Sequence, residues 1–347
     1  MHLNSFNHFR AIAILFIITG HSFSVVGLEF DNLFHDSLRN FLSGGSNLFI
    51  FISGFLFHHV FYKKYQYSDF ITKKLKNLLI PYLILGFIPT MFFIFIKKDA
   101  FDGMFLPTST GLLSEYIIPT IKYYITGRFL TAYWYIPCIL VIFSMSPLHI
   151  KYIQLSSRSQ FVIILITSVI AVMAHRSIGN INIIQSVIYF TPLYLIGITA
   201  SINRDLIYTN INNGREYVLL LMAVLLAIYQ AYSGFSGGYR KDFFEIGIID
   251  LMYFQKIFLA FFFMTWLVRF ENVNNHIIHA VASTSFALYF IHPYILWVLF
   301  KLDLELLKVD SWFFLVFFVL TLTSFCVLIA KTIKKMAPKY SRYIIGY

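Results

Sequence analysis

Two ionisable side chains stand eleven residues apart in an otherwise apolar run, Phe9-Arg10-Ala11-Ile12-Ala13-Ile14-Leu15-Phe16-Ile17-Ile18-Thr19-Gly20-His21. At about 3.6 residues and 5.4 Å per helical turn, this spacing is close to three turns. Both side chains therefore leave one helix face, roughly 16 Å apart along the axis. Ionisable groups inside an apolar helix are expensive and are read first as functional. A guanidinium can hold a phosphate or a carboxylate through paired hydrogen bonds. An imidazole titrates near neutrality and can take a proton from a hydroxyl. The pair reads as a site where a long donor, held at Arg10, meets an acceptor alcohol at His21. The bland alternative has Arg10 reaching lipid headgroups and His21 bonding a neighbouring helix.

Further polar residues stand out against the apolar background. Lys73, Lys74 and Lys76 form a basic run. It reads either as an attractor of phosphates or as a topological signal touching anionic lipid. His292 beside Pro293 is read either as lining a substrate site or as a satisfied histidine of a helix bundle. Trp134 and Tyr135 are placed to stack on a sugar ring or to join an interfacial aromatic belt. Ser53 and Cys138 are candidate nucleophiles, although neither has a base nearby in sequence. Ser53 beside Gly54 reads equally as a helix-packing position. Asp250 and Lys256 read as a pair or as interfacial groups. His58 and His59 are adjacent and leave different helix faces, so they are poor joint metal ligands. No metal-binding constellation is expected.

The elements that must position these residues follow from composition. The 347 residues are 59% hydrophobic and 12% charged, with a mean hydropathy of +0.73. Soluble domains are about 45–50% apolar and about 25% charged. A soluble globule and intrinsic disorder are both excluded. The net charge of +11 is spread between apolar runs rather than gathered on a basic domain, so nucleic acid is not an expected partner. A span needs about 20 mostly apolar residues. Ten such runs lie near 9–28, 41–61, 78–96, 133–150, 160–175, 183–201, 216–233, 250–269, 283–300 and 311–330. Stretches such as Leu48-Phe49-Ile50-Phe51-Ile52 do not alternate in polarity, so the spans are helices and not barrel strands. The expected fold is an all-α polytopic helical bundle in the lipid bilayer, a single domain over 1–347 with no soluble domain. The first run reads as a permanent helix and not as a removable signal.

Charge gives the orientation. The expected loop 62–77 and the tail 331–347 are rich in Lys and Arg, which places both on the cytoplasmic side. With ten spans both termini are then cytoplasmic, and the alternate loops on that side hold fifteen Lys and Arg against ten on the other. The longest loop, 97–132, is external and apolar enough to lie on the membrane surface. Arg10 falls at the cytoplasmic lip, His21 deeper, and His292 near mid-membrane.

Four stretches, in this order, make the sequence resemble the membrane acyltransferase 3 family of O-acetylases. They are Arg10 through His21, then Asn47-Leu48-Phe49-Ile50-Phe51-Ile52-Ser53-Gly54-Phe55-Leu56, then Lys73-Lys74-Leu75-Lys76-Asn77-Leu78-Leu79-Ile80-Pro81-Tyr82, and finally Ser285-Phe286-Ala287-Leu288-Tyr289-Phe290-Ile291-His292-Pro293. Weaker echoes are Tyr133-Trp134-Tyr135-Ile136 and Pro192-Leu193-Tyr194-Leu195-Ile196-Gly197. The basic run departs from the family in having lysines where arginines are usual, and lysine lacks the forked contact. Asn47 stands where an Asp is frequent, leaving a hydrogen-bonding role but no charge.

The resemblance implies an enzyme of the inner membrane that moves an acetyl group from acetyl-coenzyme A to a hydroxyl of a surface polysaccharide or its lipid-linked precursor. It implies His21 as general base and Arg10 as orienter of the donor. Lys73, Lys74 and Lys76 would attract the coenzyme phosphates. Asn47, Ser53, Trp134 and His292 would serve the acceptor. Two other classes share the gross architecture. A polysaccharide or lipid-linked sugar flippase usually shows an inverted repeat or broken helices, and none is visible here. A polysaccharide polymerase would favour a larger external loop with catalytic basic residues, for which Lys122 and Arg128 in the 97–132 loop are a thin case.

Overall fold

The computed structural model describes residues 3–97, 104–211, 213–245 and 247–347. Residues 98–103 of the expected external loop lie outside the described residues. In chain order the helices are α1 (Asn4–Ser22), α2 (Leu33–Leu42), α3 (Gly45–Leu56), α4 (Tyr67–Lys74), α5 (Ile80–Phe95), α6 (Ile118–Thr126), α7 (Tyr135–Ser144), α8 (Ser146–Ile153) and α9 (Ser157–Ala174). They continue with α10 (Ile183–Ile202), α11 (Arg204–Asn210), α12 (Glu216–Tyr232), α13 (Leu251–Trp266), α14 (His276–Ser283), α15 (Ser285–Leu302), α16 (Trp312–Met336) and α17 (Ser341–Ile345).

The bundle is all-helical, with no named strand among the described residues. Each of the ten apolar runs is met by one of these helices. Among the described residues, seven continuous helical stretches are long and apolar enough to cross a membrane, two of them Leu33–Lys64 and Tyr67–Phe95, or eight if the α7–α8 pair, bent by 56°, counts as one span. The helix α12 is a shorter apolar one. The polar residues Asn4, Ser5, Asn7, His8 and Arg10 dilute the first turns of α1, which is why it is not among the seven.

Polar residues punctuate the helices where the chain leaves the apolar run. The side chains of Asn32, Ser156, Asn182, Asp250, Asn275 and Ser311 accept from backbone N–H groups at the starts of α2, α9, α10, α13, α14 and α16. This satisfies donors that a helix start leaves open. The segment 62–77 is not the loop expected. It is largely α4, which runs through a π-helical turn at Leu75–Leu79 into α5. Pro81 sits in the first turn of α5, where its missing N–H is no loss. The described part of 97–132 also carries helix, from Leu113 through Thr126, with Leu112, Leu113, Ile121 and Ile125 exposed along it.

Packing around α1 depends on close helix contacts. Without a hydrophobic force between helices in lipid, small residues let backbones approach. A Cβ on Gly54 of α3 would lie 2.0 Å from the Tyr194 carbonyl oxygen, and one on Gly197 of α10 would lie 2.2 Å from the Phe51 carbonyl oxygen. The Ser-Gly-Phe and Leu-Ile-Gly stretches are therefore two sides of one contact. It locks α10 against α3, and α3 in turn packs on α1, which also packs against α13, α14, α15 and α16.

Candidate active site

One unbroken helix, α1, carries both residues of the opening pair, but they face different cavities. At the N-terminal end of α1, Arg10 lines a cavity of about 420 Å³ together with Lys74, Asn77, Lys334 and Arg342. A narrower aromatic cavity of about 170 Å³ also shares Arg10 and Lys74, and adds Ser53, Phe61, Phe70 and Phe143. At the other end His21 lines a cavity of about 430 Å³ with Arg39, Arg128, Thr131, Trp134, Arg176 and Arg240. It also lines an adjoining apolar one of about 290 Å³. Between the ends, Ala13 and Ile14 of α1 are fully buried. The shared passage expected from the spacing is therefore closed, because an apolar turn of α1 and its neighbours fills it.

The late Ser285-to-His292 element of α15 contacts α1 at two heights. At the lower one, Arg10 Nη2 donates to Ser285 Oγ at 2.8 Å. At the upper one, the His21 and His292 rings stack with centroids 5.7 Å apart. Seven residues separate Ser285 from His292, close to two helical turns, so both leave the face of α15 turned toward α1. His292 Nδ1 lies 2.7 Å from the Leu288 carbonyl oxygen. A carbonyl only accepts, so Nδ1 carries the proton and Nε2 the lone pair. That Nε2 is buried and has no hydrogen-bond partner among the described residues. His292 itself lines neither cavity, but Pro293 beside it does.

His21 Nδ1 lies 3.1 Å from Thr131 Oγ1. With Nδ1–H donating to Thr131, Nε2 presents a lone pair, the form a general base needs. The Thr131 partner was not visible in sequence, since it lies 110 residues away in the segment between α6 and α7.

The other expected site residues divide. Lys74 reaches both N-terminal cavities, its Nζ 4.3 Å from the Phe143 ring centre and also over Phe61 and Phe70. Lys73 and Lys76 are exposed and line none of these cavities, because successive helical residues leave different faces. Ser53 lines the aromatic cavity, while Gly54 makes the helix contact. Asn47 is buried in the first turn of α3 and lines none of the cavities. Trp134 is buried on the cavity wall and not in an interfacial belt. Phe190 stacks on its ring, and the Arg176 guanidinium lies 4.7 Å from the ring centre. Its ring therefore props Arg176. Cys138 is fully buried. His58 bonds Ser201 Oγ through Nδ1 at 2.9 Å. Asp250 and Lys256 do not pair. Asp250 accepts from Tyr189 OH at 2.8 Å, and Lys256 Nζ donates to the Phe41 carbonyl at 2.6 Å at the end of α2.

Sequence reasoning assigned no site role to Arg39, Arg176, Arg240, Lys334 or Arg342. Two loops hold the central pair of arginines. Arg176 follows α9, and its carbonyl accepts from Lys241 N at 3.2 Å, beside Arg240. Gln185 Nε2 ties both loops, donating to the Ala174 and Lys241 carbonyls at 2.8 and 3.0 Å. Enclosure by the wall, then the guanidiniums of Arg176 and Arg128, lower Arg240 to about 10. It stays charged at neutral pH. Burial, then Lys241, lowers the nearby His175 to about 4, so it is neutral there.

The model of the acyltransferase-3 family, an acyltransferase domain, matches residues 3–331. No curated protein and no solved structure matches the chain. The match takes in α1 with Arg10 and His21, the α3–α10 contact, the α4–α5 basic turn and the Ser285-to-His292 element, within a helical membrane bundle. By that match over nearly its whole length, the chain belongs to the membrane acyltransferase 3 family and is a membrane acyltransferase.

Proposed function

We propose that this acyltransferase moves an acetyl group from acetyl-coenzyme A to a hydroxyl of a cell-surface polysaccharide or its lipid-linked precursor. The observation that carries the reading is the division of α1, with a phosphate-type cationic cavity at Arg10 and a histidine-bearing cavity at His21. With the N-terminus cytoplasmic, the first cavity opens to the cytoplasm, where the coenzyme is made, and the second to the outside, where surface glycan is found.

In this reading Arg10, Lys74, Lys334 and Arg342 hold the coenzyme phosphates. The thioester arm extends along α1 toward His21, which requires the Ala13–Ile14 turn and the aromatic side chains around it to yield. His21 Nε2 takes the proton of the acceptor hydroxyl. The hydroxyl oxygen bonds to the thioester carbonyl carbon, the carbon–sulfur bond breaks, and the coenzyme leaves as thiolate. The imidazolium returns its proton to that sulfur, so atoms and charge balance. Thr131 holds the ring in the tautomer that leaves Nε2 free. His292 packs behind it, limiting the orientations His21 can take.

The test is purified full-length protein in lipid nanodiscs with acetyl-labelled coenzyme and a panel of glycans. Label entering a base-labile ester supports the reading. Movement of glycan across a bilayer at the wild-type rate by His21→Ala, with no ester formed by wild type, would replace it with the flippase alternative.

A further inference from the structure

The loops on the His21 side hold fewer Lys and Arg than those of the opposite side, but they place them selectively. Those loops contain four arginines, Arg39, Arg128, Arg176 and Arg240. All four line the cavity that His21 enters. None of the lysines of the same loops does so among the described residues, and no Asp or Glu lines the cavity. Topological charge would not sort arginine from lysine, whereas an oxyanion site would, because the planar fork matches a carboxylate or phosphate.

The arginines are also held in place. Arg176 is 7% exposed. Its Nη2 donates to Asn180 Oδ1 at 2.9 Å, its guanidinium rests on Trp134, and its Nε has no hydrogen-bond partner among the described residues. The backbone bridge between residues 176 and 240 fixes Arg240 beside it. Bringing like charges together is unfavourable, and the nearest buried acid, Asp250, is shared with Tyr189. Arg176, Arg240 and His21 line one cavity, so an anion bound between the two arginines shares that cavity with the base. The cavity of about 430 Å³ falls within the range of roughly 300–1,000 Å³ that small-ligand sites occupy.

We propose that the acceptor is itself anionic: a sugar bearing a carboxylate or a phosphate, whose oxyanion is held by Arg176 and Arg240 while a hydroxyl of the same glycan faces His21. This rests on the acetyl-transfer reading for the word acceptor, but the binding it describes is measurable without turnover. The oxyanion also answers a problem of register. A cavity open to solvent offers many sugar hydroxyls to one base, and a fixed charge contact selects which of them arrives.

The experiment uses the full chain in nanodiscs of zwitterionic lipid. Three probes of equal length are titrated: a neutral galactose oligomer, a galacturonic acid oligomer, and a galactose oligomer carrying phosphate. At least one anionic probe is expected to bind roughly tenfold or more tighter than the neutral one, as a charge-assisted hydrogen bond is worth. Which of the two does so identifies carboxylate or phosphate as the source. Arg176→Gln and Arg240→Gln should each remove most of that advantage, and Arg176→Lys should not restore it. Lys122→Gln takes one positive charge from the same side without touching the wall, and should change binding less than about twofold. If Arg176→Gln fails to fold, Arg240→Gln on the cavity mouth and Arg39→Gln carry the test. Equal binding of neutral and anionic probes overturns the proposal. So does free coenzyme A displacing the anionic probe, which would give the arginines to the donor. Label transfer is read separately. Transfer without charge preference sinks this inference alone, and charge-selective binding without transfer supports the site while counting against the reaction.

Discussion

The two ends of α1 are both cationic, yet they are built from different materials. At the Arg10 end the charges are mixed, with Lys74 and Lys334 beside Arg10 and Arg342, and they come from helices α1, α4, α16 and α17. The lysines are long point charges, and Lys74 rests on aromatic rings. At the His21 end the cavity's cations among the described residues are arginines alone, and Arg128, Arg176 and Arg240 come from segments between helices, with the two loops at 176 and 240 stitched by backbone and Gln185 contacts. The difference is physical. Point charges on flexible stems accept a mobile, many-phosphate ligand in several poses. Forked charges on braced loops select one geometry.

The comparison is broken most directly at the base. His21→Ala is expected to lower the rate of labelled acetyl transfer by roughly 10²- to 10⁴-fold, the usual span for a lost general base, while the variant still binds both ligands. Retention of more than a tenth of the wild-type rate would remove His21 from the chemistry. Next in size is Arg10→Lys. It keeps the charge but loses the planar fork and the single Nη2 bond to Ser285, and should lower kcat/KM for acetyl-coenzyme A by roughly tenfold with the acceptor KM unchanged. A change confined to the acceptor KM would exchange the roles of the two ends.

A smaller effect sharpens the donor side. Lys74→Gln should raise the KM for acetyl-coenzyme A by several-fold, whereas Lys73→Gln and Lys76→Gln should each alter it by less than about twofold, as exposed charges screened by salt do. Equal effects of all three would mean that the lysines act as a diffuse field. The smallest change is expected from Thr131→Val, which leaves the imidazole in place but frees its tautomer. It should lower kcat by a few-fold, about the worth of one neutral hydrogen bond, and leave both KM values as they are.

Much of the bundle was legible in the chain. Each apolar run became a helix because backbone groups in hydrocarbon must be satisfied within the segment. The basic segment 62–77 reads as loop, as Lys-rich sequence between spans does, yet Tyr67–Lys74 is helical and continues into the next span. The pair Arg10 and His21 could be placed on one face because helical periodicity is local. Lys73, Lys74 and Lys76 could not be told apart, because which of three neighbouring faces meets α1 depends on how α4 packs.

The sequence alone determined the helical bundle, the face shared by Arg10 and His21, and the chemistry those two side chains can perform, because each of these follows from spacing and side-chain type within one segment. Only the tertiary structure decided that the two residues face separate cavities, that Ser285 and His292 meet them at matching heights, and that arginines at 39, 128, 176 and 240 form one wall. Those arrangements join residues from different helices and loops, far apart in the chain, and which of them meet depends on how those elements pack and not on any single stretch of sequence.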